Sequence, residues 1–179
     1  MGIGFKSVTW LLAMFTALCG GMAARAAPAR GQAGAEAVIL RPFTIVKTED
    51  LLFGNMATSN IQGTVVINPN TGAVTHTNVT GLGGTIQAAQ AVGYGTPGSL
   101  VWVRWSTQAF TLARVGGGAS MTVSQLRTNC VLFCFAGSDP RIVPANGFLD
   151  VRFGGQLNVG ANQPDGEYVG SFAVTIDYP

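Results

Sequence analysis

GEYVGSFAVTIDYP, residues 166–179, alternates its side chains with a period of two. Tyr168, Phe172, Val174, Ile176 and Tyr178 share one face, interrupted only by Gly170. Ser171, Thr175 and Asp177 share the other with Val169 and Ala173. Successive strand side chains point to opposite faces, so this stretch is a strand with one buried side. Its last apolar side chain stands at the penultimate position, where most domains fray. FLDVRFGGQLNV, residues 148–159, repeats the pattern: Leu149, Val151, Phe153, Leu157 and Val159 oppose Asp150, Arg152, Gln156 and Asn158. Asn-Gln-Pro-Asp-Gly at 162–166 turns one strand into the next.

The rest of the chain follows suit. AVILRPFTIVK (37–47) is a β-rich run whose Pro42 cannot donate to a ladder, which places it at a sheet edge. LLFG follows at 51–54. GTVVI (63–67) and AVTHT (73–77) flank Asn-Pro-Asn-Thr-Gly, a hairpin turn with proline and glycine where they are needed. After the glycine-rich VTGLGG come TIQAAQAV (85–92) and SLVWVRW (99–105). AFTLARV (109–115) and SMTVSQL (120–126) are joined across three glycines, and an Asp139-Pro140 turn precedes the strand at 148–159. About ten short strands with Gly/Pro punctuation and no capped helical period predict an all-β, antiparallel sandwich or barrel.

The first residues read differently. Lys6, the apolar run VTWLLAMFTALCGGMAA and the small-residue site Ala24-Arg25-Ala26 have the layout of a secretory signal peptide over residues 1–26. The run is too short and too broken by glycine for a membrane span, and no later run reaches the roughly 20 apolar residues one needs. Residues 27–36 read as a flexible lead-in, and 37–179 as a single domain. Export to the periplasm, cell surface or medium is the expectation. Lys6 and Arg25 would leave with the signal, so the 10 basic residues become 8 against 8 acidic ones. A neutral chain offers no electrostatic case for nucleic acid or anionic membrane. Only 10% of residues are charged, against ~25% in typical soluble domains, which favours a protein covered by copies of itself or by partners.

Cleavage leaves two cysteines, Cys130 and Cys134. In a regular strand their Cα atoms would stand roughly 13 Å apart, too far to bridge. Either NCVLFCF bends into a small disulfide-closed loop, which export favours, or it is extended with two free thiols. Leu132, Phe133 and Phe135 in that loop form either an exposed apolar patch that binds a glycan or other surface ligand, or a cover over one end of the sandwich. Trp102 and Trp105 are three apart, point to opposite faces of a strand and cannot make one sugar-stacking platform.

Catalytic chemistry is thin. The single histidine, His76, sits between two threonines in a hairpin strand with no nucleophile pattern beside it. Glu49-Asp50 and Asp165-Gly166-Glu167 flank turns, where solvated carboxylates are ordinary. The glycine runs lack the helix and lysine of a phosphate cradle. The expectation is a non-enzyme with no cofactor and no metal.

Three stretches together resemble a known family. TIVKTEDLLFG (44–54), GTVVINPNTGAVT (63–75) and LNVGANQPDGEYVGSFAVTIDYP (157–179) are similar to the opening, hairpin and ending of domain of unknown function 4402, a family of secreted bacterial proteins. The two ends also resemble subunits of chaperone–usher fimbriae. That resemblance implies an all-β, immunoglobulin-like, pilin-like antiparallel β-sandwich lacking one strand, completed by an N-terminal extension from the next subunit. On this reading Gly170, Phe172, Val174, Ile176 and Tyr178 form the assembly edge gripped by a periplasmic chaperone, and delivery is to an outer-membrane usher. Residues 37–47 would then act as the donor strand through Ile39, Phe43 and Ile45, or else form the first strand of their own domain. The implied function is a structural subunit of a surface fimbria, polymerised with copies of itself or related subunits; the alternative is a self-complete sandwich that binds a surface ligand.

Overall fold

The computed structural model describes residue 37, residues 39–130 and residues 137–179. Among them the regular structure is entirely strand: β1 (Thr44–Glu49), β2 (Leu52–Ala57), β3 (Gly63–Ile67), β4 (Val74–Thr77), β5 (Thr80–Gln87), β6 (Ala89–Tyr94), β7 (Leu100–Trp105), β8 (Phe110–Arg114), β9 (Ser120–Thr128), β10 (Ser138–Ile142), β11 (Phe148–Val159), β12 (Tyr168–Val169) and β13 (Val174–Asp177). Every pairing is antiparallel. No helix among the described residues is long and apolar enough to cross a membrane.

The fold is a β-sandwich built around β11. One large curled sheet runs β1-β6-β11-β9-β8-β12, and the β3–β4 hairpin joins it through β3. β11 is long enough to hold two strands end to end on one edge: β6 pairs with Phe148–Phe153 and β3 with Gln156–Val159. Gly154 lies where they meet, and only glycine fits, because a Cβ there would stand 2.3 Å from the Ile67 carbonyl oxygen and 2.7 Å from Pro69 Cδ. The alternation read in 148–159 holds: Leu149, Val151, Phe153, Leu157 and Val159 are all buried.

The opposing layer is in two pieces, β2-β5 and β10-β7-β13. Each covers its own core. Beneath β10-β7-β13 lie Val101, Val103, Trp105, Leu149, Val151, Phe153 and Ile176. Beneath β2-β5 lie Phe53, Val65, Ile67, Val123, Leu157 and Val159. Trp105 stacks edge-to-face on Phe153 with ring centroids 6.0 Å apart. Trp102 faces outward under the Arg104 guanidinium, so the two tryptophans do take opposite faces.

Several local readings are overturned: 166–179 is not one strand but β12 and β13 in different sheets, and TIQAAQAV (85–92) holds the end of β5 and the start of β6. Asp139-Pro140 is not a turn but the middle of β10, with Asp139 1% exposed. The carboxylate is accepted inside because Arg141, also inward, gives it Nε and Nη2 bonds of 2.9 and 2.7 Å, and Thr128 on β9 donates at 2.6 Å. Arg141 also donates to the Asn129 and Asp150 carbonyls, so this cluster ties the two layers together across the sandwich. GLGG is likewise a strand. β5 takes in Gly83 and Gly84 at φ +88° and +83°, opposite irregularities in β2 that need the extra backbone freedom.

Candidate functional site

β1 and β2 are consecutive but belong to different layers, and so do β12 and β13. Each pair crosses from the large sheet to the opposing layer. Among the described residues β2 bonds only β5, and β13 bonds only β7, so within them the two pieces of that layer present free edges. Between them runs a groove of about 1560 Å3. One wall is β2 with the end of β1; the other is the segment from Gln163 to Val174. Its floor is the inner face of the large sheet, including Ala91, Phe110, Leu112, Met121, Phe153 and Leu157. At one end the walls are tied, the Asn162 N–H donating to the Ser59 carbonyl at 2.8 Å and the Thr58 hydroxyl to the Gln163 carbonyl at 3.5 Å. Glu49, Asp50, Asp165 and Glu167 line the rim against one cation, Lys47, itself paired with Asp50 at 2.7 Å.

The C-terminal residues singled out by alternation form much of one wall and its continuation. Phe172, Val174, Ile176 and Tyr178 point inward, yet only Ile176 is fully buried. Phe172 lies against Phe110 and Phe153, 5.2 and 5.5 Å between centroids, and remains partly exposed in the groove wall. Gly170 is the hinge of the crossing: a Cβ there would sit 2.4 Å from the Thr111 carbonyl oxygen. The Tyr178 hydroxyl accepts the Thr96 N–H at 2.9 Å, and its ring meets Phe43 edge-to-face at 6.1 Å.

Of the three donor-strand residues, Ile45 lies in β1, which pairs with β6 of the same chain with Ile45 opposite Gly93. Phe43 packs over Gly93 and Gly95, where a Cβ would fall 2.3 and 2.6 Å from its ring. Ile39 is 95% exposed and outside any strand. The Arg41 N–H donates to Thr96 Oγ1 at 2.9 Å, so the chain is pinned between Arg41 and Phe43, beside Tyr178.

Cys130 is half-buried at the end of β9, whereas Cys134, Leu132, Phe133 and Phe135 lie outside the described residues. His76 is half-buried on β4, its Nε2 without a hydrogen-bond partner and close against Gly81. Glu167 is exposed on the groove rim, away from His76. The groove itself went unseen in the sequence, and so did the role of Leu51–Thr58 as its second wall. The only signal was LLFGNMA, an apolar stretch one strand long beside an edge-marking proline.

No curated protein and no solved structure matches the chain significantly. A family model does, over residues 43–178: domain of unknown function (DUF4402). Those residues run from Phe43, beside the root of the lead-in, to Tyr178, and include both groove walls. The chain belongs to the domain of unknown function 4402 family.

Proposed function

We propose that this protein is an exported, non-enzymatic structural subunit of a bacterial surface fimbria, assembled by donor-strand exchange with copies of itself or related subunits. A periplasmic chaperone and an outer-membrane usher are the partners such assembly calls for. One observation carries the reading. Among the described residues the layer opposite the large sheet is broken between two strand edges, and beneath the break the floor residues Phe110, Leu112 and Met121 are only partly buried. Free edges invite pairing with another chain, and an extended segment laid between them gains main-chain bonds on both sides while covering apolar surface. Phe172, Val174 and Tyr178 are only partly buried, which suits a strand from another copy being laid beside them.

The test compares the mature chain, residues 27–179, with the same chain lacking residues 27–40, by sedimentation velocity and negative-stain microscopy. The full chain is expected to form linear polymers and the shortened one to stay monomeric. A full-length chain that stays strictly monomeric at all concentrations, including when coexpressed with its periplasmic chaperone, would overturn the proposal.

A further inference from the structure

With β1 committed to β6 and Phe43 to Tyr178, a donor has to come from the residues before Arg41. Those residues alternate. From 27 to 37 every odd position is alanine or glycine (Ala27, Ala29, Gly31, Ala33, Ala35, Ala37), and Ile39 continues the set. The charged and polar residues of the stretch, Arg30, Gln32 and Glu36, all fall at even positions, alongside Pro28, Gly34 and Val38. Resting on the donor-strand reading, we propose that the groove accepts residues 27–39 of a second copy, inserted with the odd positions on the floor and the even ones toward solvent.

Burial cost fixes that parity. With the even set facing in, Arg30, Gln32 and Glu36 would lie on an apolar floor without partners, and each unpaired buried polar or charged group is heavily unfavourable. A one-residue slip exchanges the two faces completely, so the register is specified by parity. Facing outward, Arg30 meets a rim with four carboxylates and one already paired lysine. The lead-in is also long enough. β2 offers 6 residues of wall, roughly 20 Å, whereas residues 27–39 extend to about 40 Å, so the surplus can span the distance to Arg41 of the donating copy. Ile39 is 95% exposed next to a chain pinned at Arg41, which suits a donor that serves another molecule.

The experiment places the same charge on adjacent residues of opposite parity in the full mature chain. Ala33→Asp is expected to weaken association more than about a hundredfold, because a carboxylate would be buried on the floor. Gln32→Asp is expected to change it by less than about threefold, as its side chain stays in water. A second measurement mixes a copy carrying Ala33→Cys with a copy carrying Leu112→Cys. An intermolecular disulfide is expected from this pair and not from Gln32→Cys with Leu112→Cys, with circular dichroism checking that Leu112→Cys folds. Equal damage from the two aspartates, or cross-linking through position 32, overturns the parity while donor-strand assembly stands. A wild-type chain that never associates removes the donor-strand reading and this inference with it.

Discussion

Replacing Asp139 by leucine should be among the most damaging single changes in the domain, and removing its partner as well should restore part of the loss. Arg141 is 9% exposed, and its Nε and Nη2 both bond the Asp139 carboxylate. Asp139→Leu leaves the guanidinium with carbonyl and amide oxygens of Asn129 and Asp150 but no counter-charge, and takes the acceptor from the Thr128 hydroxyl. Stranding one member of a buried pair costs about 3–5 kcal/mol. At about 3 °C per kcal/mol for a domain of this size, the midpoint of thermal unfolding should fall by about 10–15 °C. In Asp139→Leu/Arg141→Met both charges are gone and the space is filled by apolar atoms, a replacement that is often close to neutral. Asn129 Oδ1 retains the Arg152 N–H at 2.9 Å, which limits the polar loss. Near-ultraviolet circular dichroism follows the unfolding through Trp105, which packs on Phe153 in the neighbouring core. The reasoning fails if the single variant melts within about 3 °C of wild type, or if the double variant is less stable than the single.

Gly170→Ala should destabilise by about 1–3 kcal/mol in urea unfolding, because the new methyl meets the Thr111 carbonyl and Leu112 Cδ2 at 2.4 and 2.8 Å; an unchanged midpoint would show that the crossing does not hug β8. Tyr178→Phe removes the acceptor of the Thr96 N–H and should cost about 1 kcal/mol. Tyr178→Ala also takes away the ring against Phe43 and should cost at least about twice as much; equal losses for the two variants would mean that the ring contact contributes nothing.

Local features of this fold were legible. Period-two alternation in 148–159 depends only on neighbouring residues, and the structure buries Leu149, Val151, Phe153, Leu157 and Val159 accordingly; the alternation at 166–179 holds only for its last part, because the chain crosses between layers at 170–173. The 68–72 turn follows from its own residues, with Gly72 at φ +71°. Pro42 marked an edge, and β1 begins two residues later with β6 as its single neighbour among the described strands. What was hidden depends on partners distant in sequence. Asp139 followed by proline looks like a turn until Thr128 and Arg141 are seen around its carboxylate. GLGG looks like a connector until β2 lies beside it with its irregular register. The groove belongs to no segment at all, since it arises from strand order, from β2 and β13 each ending a separate piece of one layer.

The junction of Arg41, Phe43, Thr96 and Tyr178 has a mechanical consequence. Tension applied to the residues before Arg41 enters the domain there and passes at once to two places, the last strand and β1. In β1 the ladder bonds to β6 lie crosswise to the pull, so the rungs from Thr44 to Glu49 resist together instead of opening one after another. A hard tug on the lead-in is thereby spread across both layers at the point of entry, which is how a thread is sewn into cloth when the seam must not tear.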